Sequence, residues 1–237
     1  MSEALDLIAT WVAEGRREYV CVCSVHGIME CRRSPELRRI FNAAGLVTPD
    51  GMPLVWLARA DGRRNVSRVY GPDLLAAELA ASARSGHRHF FYGGREGAAQ
   101  QMAAQMAGRH PSLELVGTLE PPMAPVEELA DAATAEQINQ ARADIVWVGL
   151  STPKQELWMA RMRPLLEAPV LIGVGAAFDF HSGRVRQAPG WMQRSGLEWA
   201  FRLAMEPRRL ARRYAVAVPW FLLAITLQKL RLRRFEA

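Results

Sequence analysis

The sequence predicts an α/β fold in which a doubly wound, mostly parallel, Rossmann-like sheet is followed by a basic, amphipathic, helical C-terminal appendage. Short β-rich runs alternate with longer helical patterns along most of the chain. The runs are apolar throughout, which is typical of parallel strands covered by helices on both faces. The appendage is predicted from basic residues that flank one apolar stretch near the C-terminus.

Five strands are predicted, with helices between them. In chain order they are EYVCVCS, HFFYGG, LELVG, DIVWVGL and PVLIGVG, at residues 18–24, 89–94, 113–117, 144–150 and 169–175. Two helical segments are clear, EGAAQQMAAQMAGRH after the second strand and KQELWMARMRPLL after the fourth. Because a loop and then a helix follow each strand, the pattern indicates successive βα units.

Length and composition favour one α/β domain with a short addition. A chain of 237 residues suffices for a domain of ordinary size, and 50% hydrophobic with 23% charged residues is typical of a packed globular protein. We therefore expect one α/β domain, with glycines and prolines spread along it, at residues 1–201 and the appendage at residues 202–237.

The cysteines and the N-terminus indicate the reducing cytoplasm. Cys21, Cys23 and Cys31 are an odd number within one segment, and the acidic N-terminus lacks the pattern of a secretory signal. A Cys-x-Cys pair can hold a metal, but no further Cys or His follows at the spacing that such sites use. Alternate positions of a buried strand explain Cys21 and Cys23 better.

Positive charge is concentrated in the appendage. The formal net charge is +6, and residues 202–237 hold nine basic and two acidic residues, so the body is close to neutral. The run from Tyr214 to Leu227 has fourteen mostly apolar residues, fewer than the roughly twenty that cross a bilayer. We expect this segment to lie on an anionic membrane surface, which places the protein in the cytoplasm, attached peripherally to the inner face of the plasma membrane.

Other interpretations of the appendage remain. It could dock on the core as a helix, or form a contact between copies of the chain, since an oligomer is possible. A nucleic-acid tail is the third interpretation, because basic residues alone do not distinguish phosphodiester polymers from lipid phosphates. We expect no nucleic-acid partner, because the body of the chain is not a polycation.

Four loops follow predicted strands at the edge where such sheets bind ligands, at residues 24–27, 92–97, 149–156 and 173–183. Helix N-termini at that edge present unpaired N–H groups to anions. Gly93 and Gly94 would let the backbone approach a diphosphate closely, although glycine at a strand-to-helix turn is also common for steric reasons.

Two of these loops hold polar residues with both a functional and a structural interpretation. Lys154 and Gln155 open a helix beside the sheet edge, where a phosphate could bind or where a capped helix simply begins. Asp179 lies between two phenylalanines beyond a buried strand and needs a partner, either a ligand or Arg184 or Arg186.

Asp50 stands in a Pro-Asp-Gly turn just before an apolar helical stretch. Pro, Asp and Gly are ordinary turn residues. From the residues alone, a turn role for Asp50 is favoured over catalysis.

Taken together, these segments resemble the WecG/TagA/CpsF family of bacterial glycosyltransferases, from about Tyr19 to Phe221. DIVWVGLSTPKQELWM is similar to the family's strand and Pro-Lys-Gln-Glu helix, and GVGAAFDFHSGRVRQAPGWMQRSGLEWAFRL to its Phe-Asp and Arg-Ala-Pro blocks. EPRRLARRY resembles the arginine-rich start of its C-terminal appendage. Upstream, TPDGMPLVW, SRVYGPDLL and FFYGGREGAA are similar to its Asp-Gly, Gly-x-Asp-Leu and Gly-Gly blocks.

The resemblance implies an inverting transfer from a UDP-sugar to a hydroxyl of a sugar on undecaprenyl diphosphate, in cell-surface polysaccharide synthesis. It implies that Asp50 is the catalytic base. The residues that it implies for donor binding are Ser24, Arg68, Gly93, Gly94, Lys154, Gln155 and Asp179. Those that it implies for the acceptor and diphosphate are Arg202, Arg209 and Arg212. Family members use glucose or N-acetylmannosamine among other sugars, and VHGIME is nearer to the glucosyl exopolysaccharide branch.

The chain also departs from the family pattern. Val22, Cys23 and Ser24 stand where many members carry Thr-x-Asn, and Gln187 stands where Arg commonly precedes Ala-Pro. These departures leave the reaction class alone but leave the donor sugar open, because sugar specificity rests on few polar contacts. The sequence contains no Asp-x-Asp motif, so we expect neither a metal nor a cofactor.

Two other protein classes share parts of this pattern. A nicotinamide dehydrogenase has the same kind of sheet, but its first strand is followed by G-x-G-x-x-G, which SVHGIM lacks. The alternative is a non-catalytic binding module recruited to the membrane by its basic tail. Such a module would not transfer sugar from any UDP-sugar.

Overall fold

The computed structural model describes residues 1–230, except for the side chains of Arg209, Arg212 and Arg213. The strands in this range are β1 (Glu18–Cys23), β2 (Leu46–Pro49), β3 (Arg88–Gly93), β4 (Glu114–Leu119), β5 (Ile145–Gly149) and β6 (Val170–Gly173). The helices are α1 (Ser2–Glu14), α2 (Val25–Arg33), α3 (Pro35–Asn42), α4 (Met52–Ala60), α5 (Gly71–Ser85), α6 (Ala98–Arg109), α7 (Val126–Leu129), α8 (Ala132–Gln140), α9 (Lys154–Met162), α10 (Ala177–His181), α11 (Gly190–Arg194), α12 (Glu198–Met205) and α13 (Pro207–Lys229).

The strands form one parallel sheet in the order β2-β1-β6-β5-β3-β4. Val20 of β1, for example, lies opposite Leu46 of β2 on one side and Ile172 of β6 on the other. The remaining pairs, β5 with β6, β3 with β5 and β3 with β4, are parallel as well. The predicted doubly wound, Rossmann-like sheet is confirmed, and the carboxyl ends of its strands meet at one edge.

Helices cover both faces of this sheet. One face packs on α1, α5, α6 and α10 and buries Phe91 and Trp147 completely. The other face packs on α3, α7, α8 and α9 and buries Tyr92, whose ring stacks on Trp158 with 4.1 Å between centroids. The four central strands β1, β3, β5 and β6 are mostly apolar because both of their faces are buried.

The cysteines of β1 belong to this core. Cys21 and Cys23 are buried as free thiols on the face covered by α3 and α9, which confirms the interpretation of a buried strand. Burial raises the pKa of both thiols well above their usual range. Burial also raises the pKa of Cys31, in α2, to about 11. All three therefore remain protonated and unreactive at neutral pH.

Strand β2 is the one that the sequence pattern does not predict. It has four residues at the edge of the sheet, and it pairs Thr48 with Val22 and Pro49 with Cys23. The N–H of Asp50 extends this ladder by donating to the carbonyl of Cys23 at 2.8 Å. A run this short, ending in Pro-Asp-Gly, has the local character of a turn, and only its pairing with β1 makes it a strand.

The appendage is helical, as predicted. Helix α13 has 23 residues and packs Ala217 and Phe221 against Met29 of α2. Leu54 and Leu57 of α4 complete this small apolar cluster. Across residues 1–230, none of the helices has both the length and the apolar character needed to cross a bilayer. Helix α12 spans the predicted boundary at residue 201, and the division into two domains stays a prediction.

Candidate active site

Four of the predicted site residues meet in one cleft at the carboxyl edge of the sheet. The cleft encloses about 90 Å³, between the ends of β1, β2, β5 and β6 and the starts of α5 and α10. Ser24, Asp50, Gln155 and Arg202 line it. Parallel sheets present their ligand-binding loops at this edge.

The backbone of Asp50 is held on both sides of the residue. In addition to the bond from its N–H to Cys23, its carbonyl oxygen accepts a hydrogen bond from Nε of Arg68 at 2.6 Å. The side chain of Asp50 faces the cleft and accepts a hydrogen bond from the backbone N–H of Gly71. Gly71 can come this close to the sheet because glycine has no Cβ. A Cβ there would lie only 3.0 Å from the carbonyl oxygen of Val174.

The surroundings of Asp50 raise the pKa of its carboxyl group to about 6. Burial is the largest cause, and the negative charge of Glu198 adds to it. Arg68, Arg202 and the N–H of Gly71 act in the opposite direction. Such a carboxylate is ionised at neutral pH but binds a proton more readily than an exposed aspartate, which suits a general base.

Arg68 connects the Asp50 loop to α11 and α12. One of its terminal nitrogens donates to Oε1 of Gln193 at 3.2 Å, and the other forms an ion pair with Glu198. Its guanidinium carbon also lies 4.1 Å from the centroid of the Tyr70 ring. Each nitrogen of the guanidinium has one acceptor in the protein, which fixes the position of the side chain. The role of Arg68 in donor binding stays a prediction.

Ser24 follows β1 directly and is the N-cap residue of α2. Its hydroxyl oxygen accepts a hydrogen bond from the N–H of Gly27 at 3.4 Å. His26 lines the cleft beside it, with Nδ1 3.7 Å from a carboxylate oxygen of Glu30. The first turn of α2 thus brings Ser24, a predicted site residue, and His26, for which the sequence predicted no role, to the same cleft.

Gln155 holds the loop that follows β6. Its Oε1 accepts from the N–H of Gly175 at 2.9 Å, and its Nε2 donates to Oε1 of Glu156 at 3.0 Å. A Cβ at residue 173 would lie 2.9 Å from Nε2 of Gln155, so Gly173 makes room for this amide. Glu156 is completely buried and also accepts from the hydroxyl of Thr152 at 2.8 Å. Gln155 of the Pro-Lys-Gln-Glu motif therefore lines the cleft, and Glu156 holds its amide in place.

Lys154 does not line the cleft. Its amine donates to the main-chain carbonyl of Ala124 at 2.6 Å. Helix α9 begins there with Pro153 as its N-cap and without a side-chain cap, since the hydroxyl of Thr152 donates to Oε1 of Glu156 instead. A role for Lys154 at the leaving group stays a prediction and requires its amine to leave Ala124.

Gly93 and Gly94 also lie outside the cleft lining, and the packing of the chain accounts for both. Both have positive φ, at 108° and 88°. A Cβ at residue 93 would lie 2.9 Å from the backbone of Gly149, and one at residue 94 would lie 3.1 Å from the ring of Phe178. Close approach of the β3 loop to β5 and α10 thus requires glycine at both positions.

A carboxylate of the protein occupies the helix N-terminus that follows these glycines. Glu120 accepts hydrogen bonds from the N–H groups of Gly97 at 2.5 Å and Ala99 at 2.7 Å, at the start of α6. These are the groups that would otherwise be offered to an anion. A diphosphate binds at this loop only if it displaces Glu120.

Asp179 lies on α10, close to the cleft but not among its lining residues. The sequence suggests Arg184 or Arg186 as its partner, but its ion pair is with Nε of Arg95 at 3.9 Å. Arg184 instead donates to the carbonyl of Glu96 at 2.6 Å. The other carboxylate oxygen of Asp179 is buried and has no hydrogen-bond partner among the described residues. Donor binding by Asp179 stays a prediction.

Arg202 brings positive charge to the cleft from α12. Its guanidinium carbon lies 5.7 Å from the centroid of the Phe180 ring. Its Nε is buried and finds no acceptor in the part of the chain that the structure describes. An unpaired buried donor is costly, and a ligand anion would relieve that cost. The side chains of Arg209 and Arg212, also predicted here, lie outside the described residues.

Tyr70 is a cleft residue that sequence reasoning missed. Its hydroxyl group is buried beside the carboxylate of Glu198 and faces the same cleft as Asp50. Burial raises the pKa of this phenol far above its usual value, so it remains a hydrogen-bond donor. The available signal was its position in SRVYGPDLL, between Arg68 and the start of α5.

A larger cavity of about 680 Å³ lies at the free edge of β2, between α1 and residues 62–69. It is lined by none of the predicted site residues. Over residues 1–230, no group of three or more His, Cys, Asp and Glu side chains is placed to hold a metal ion. The cleft at the strand ends is therefore the candidate active site, because the chemically useful groups converge there.

Comparison with known proteins identifies the class to which this fold and cleft belong. The model of the glycosyl transferase WecG/TagA/CpsF family matches residues 1–235. The chain belongs to this family, which the sequence motifs resemble, and it is a glycosyltransferase.

Two relatives carry the same name, N-acetylglucosaminyldiphosphoundecaprenol N-acetyl-beta-D-mannosaminyltransferase. The one from Bacillus subtilis is 30% identical over 186 residues, which cover 78% of this chain and 70% of the relative. The one from Bacillus spizizenii is 26% identical over 219 residues, which cover 92% of this chain and 82% of the relative. The similarity therefore extends over most of both proteins.

Proposed function

We propose that this glycosyltransferase moves a sugar of the glucose or N-acetylmannosamine class from a UDP-sugar onto a sugar linked to undecaprenyl diphosphate, with inversion at the anomeric carbon. The product would be an intermediate of cell-surface polysaccharide synthesis. The observation that carries the proposal is the position of Asp50, whose carboxylate faces the cleft at the strand ends with its pKa raised to about 6.

Asp50 is suited to act as the base. As the acceptor hydroxyl attacks the anomeric carbon, its proton passes to the carboxylate of Asp50. The new bond from the acceptor oxygen to the anomeric carbon forms while the bond from that carbon to the donor diphosphate breaks. The electron pair of the broken bond leaves with UDP.

A single displacement also fits the composition of the cleft. Among the described residues that line it, Asp50 is the one carboxylate. A double displacement through a carboxylate nucleophile uses a second carboxylate as acid and base, and the described lining holds no second one. One displacement with one base inverts the anomeric centre, in agreement with the reaction that the resemblance implies.

Arg202 is proposed to stabilise the leaving diphosphate. It lines the cleft with Asp50, and its buried Nε is free to donate to a phosphate oxygen. Arg209 and Arg212 follow in α13 and are proposed to add their charges when the appendage closes over the donor. Ser24 and Gln155 line the cleft and are proposed donor contacts.

The other proposed donor contacts need local rearrangement, since their polar groups have partners in the protein or lie beside the cleft. The size of the cleft also indicates movement. About 90 Å³ is less than the roughly 300–1,000 Å³ of typical small-molecule sites, so we propose that the cleft widens to admit a nucleotide sugar before the appendage closes over it.

The names of the two relatives support the choice of substrates. They specify transfer of N-acetylmannosamine onto N-acetylglucosaminyl diphosphoundecaprenol. The same substrates are the first to test here, with UDP-glucose as the second donor. A lipid-linked acceptor lies in the membrane, so an enzyme that uses it must reach the membrane surface. This supports the proposal that the appendage attaches the protein peripherally to the inner face of the plasma membrane.

A panel of UDP-sugars, incubated with a short-chain N-acetylglucosaminyl diphosphate lipid and read by product mass, tests the proposal. We expect one donor to give a product heavier by one sugar residue, and its anomeric configuration to be opposite to that of the donor. If no donor gives a product, and the protein still binds vesicles, the alternative of a membrane-recruited binding module replaces the enzyme.

A further inference from the structure

The tryptophans divide into a buried and an exposed group. The chain has seven, and Trp11, Trp147 and Trp158 are at most 2% exposed within the core. The other four are 47–59% exposed, and all of them lie on α4, α11, α12 or α13; they are Trp56, Trp191, Trp199 and Trp220. Exposure of so much indole surface in one part of a protein indicates an interaction site.

Other apolar side chains follow the same distribution. Fifteen large hydrophobic side chains are exposed in the described chain, and eleven of them lie in α4 or in residues 190–230. The rest of the surface, which includes most of the α/β body, has the other four. The exposed apolar area is therefore concentrated rather than scattered.

The four helices are joined by direct contacts. The indole of Trp56 packs on Gly196, two residues before α12, where a Cβ would lie only 2.7 Å from the indole ring. The ring of Trp199 meets Tyr214 of α13 edge-on, at 6.2 Å between centroids. At the far end of α13, Nζ of Lys229 lies 3.2 Å from the carboxylate of Asp61, just after α4.

The charges beside these tryptophans are positive. Five exposed arginines accompany them, Arg59, Arg63, Arg64, Arg194 and Arg208. The acidic residues of segments 52–64 and 190–208 are Asp61, Glu198 and Glu206, and each lies in an ion pair with Lys229, Arg68 or Arg95. We call the four exposed tryptophans and these five arginines the tryptophan face.

The chemistry of the tryptophan face matches an anionic bilayer surface. Indole rings favour the level of the lipid head groups, and arginines near anionic lipid are attracted to its phosphates. The face also adjoins the cleft, since Asp50 precedes α4 by two residues and Arg202 lies in α12. A membrane on this face would present its lipid-linked sugars next to the base.

We propose that the tryptophan face docks on an anionic lipid bilayer, and that Trp56 and Trp191, which lie outside helix α13, insert into the interface together with Trp220. The appendage is then one part of a larger membrane surface that includes the α/β body. This inference rests on the proposed function for its biological meaning, because a lipid-linked acceptor requires the cleft to open toward the membrane.

The test is binding of the full-length protein to vesicles of phosphatidylglycerol and phosphatidylcholine, without any substrate. Trp56→Gln/Trp191→Gln should bind about tenfold or more weakly than wild type, because half-exposed indoles no longer enter the interface. The matched control is Met123→Gln/Leu165→Gln, which changes two exposed apolar residues elsewhere and should bind as wild type does. Turnover of a water-soluble short-chain acceptor should be the same in all three proteins.

A second pair of variants keeps the test decisive if Trp56→Gln lowers stability through its contact with Gly196. Arg194→Glu should weaken vesicle binding at low salt, whereas Arg84→Glu, an exposed arginine at the end of α5, should not. Wild-type vesicle binding by a folded Trp191→Gln/Arg194→Glu protein would overturn the inference. If the variant binds vesicles as the wild type does but no longer self-associates, the tryptophan face forms contacts between copies of the chain instead. Weakened binding by a protein that transfers no sugar would leave the docking face in place and overturn the proposed function alone.

Discussion

Nε of Arg68 donates a hydrogen bond to the main-chain carbonyl of Asp50 at 2.6 Å, and this contact ties the proposed base to the helices that precede the appendage. The same guanidinium forms an ion pair with Glu198 of α12. Glu198 in turn raises the pKa of the Asp50 carboxyl group, while Arg68 lowers it. The position and the basicity of Asp50 thus depend on segments far apart in the chain.

Asp50→Asn should lower kcat about 10²–10⁴-fold while donor affinity stays within a few-fold. Asn keeps the shape of the side chain but cannot take up a proton, and a positioned base contributes a factor of that size. Steady-state kinetics with saturating donor and a short-chain acceptor measure it. His26→Gln is the control, since His26 is another cleft residue able to accept a proton. If His26→Gln shows the large loss and Asp50→Asn is nearly normal, the base is His26.

Asp50→Asn should also unfold at a higher temperature than the wild type at pH 7.5. The folded-state pKa of Asp50 is raised from 3.8 to about 6, so the fold favours the protonated form. The stability associated with that proton is present below pH 3.8 and is lost as the pH rises through about 6. Asn has no charge to bury and avoids this loss, so melting curves should show a gain that shrinks toward pH 4. An equal or lower melting temperature at pH 7.5 would contradict the raised pKa.

The rate should fall below about pH 6 in the wild type, because the base becomes protonated there. Glu198→Gln should move this acidic limb to lower pH, since it removes a negative charge and frees Arg68 to act on Asp50 alone. The pH dependence of kcat/KM for both proteins measures the shift. An unchanged limb in a folded Glu198→Gln protein would show that Glu198 does not set the basicity of Asp50.

Truncation after Met205 should remove most of the binding to anionic vesicles. It deletes α13 with Trp220 and the basic residues of the appendage other than Arg202, and leaves Trp56, Trp191 and Trp199 in place. We expect residual binding that weakens as salt is raised, because the remaining arginines act through screened charge, and that persists in part through Trp56 and Trp191. Equal sedimentation of truncated and full-length protein with vesicles across a salt series would show that the appendage does not anchor the protein.

Transfer should persist in excess EDTA. The sequence has no Asp-x-Asp motif, and Arg202, which lines the cleft, is proposed to stabilise the leaving diphosphate. Product mass after overnight chelation, with and without added Mg²⁺, measures this. Activity that vanishes in EDTA and returns with Mg²⁺ would show that a cation, rather than arginine, stabilises the leaving diphosphate.

The sequence by itself determined the elements whose signals are local. Five strands, the helices between them, the burial of Cys21 and Cys23 and the helical appendage follow from apolar runs, turn residues and charge that neighbours along the chain supply. The family motifs also pointed to Asp50, Gln155 and Arg202, and the structure brings these three to one cleft.

The tertiary structure alone decided which groups meet. Arg68 and Glu198 form an ion pair although 130 positions separate them. Glu120, just after β4, accepts hydrogen bonds at the start of α6. Strand β2 is a strand only because it pairs with β1. Solvent exposure of Trp56 and burial of Trp158 likewise depend on what packs against each helix. Partners, exposure and pKa are properties of the packed chain, because contact energies and desolvation act through space, whereas propensity and periodicity act along the backbone.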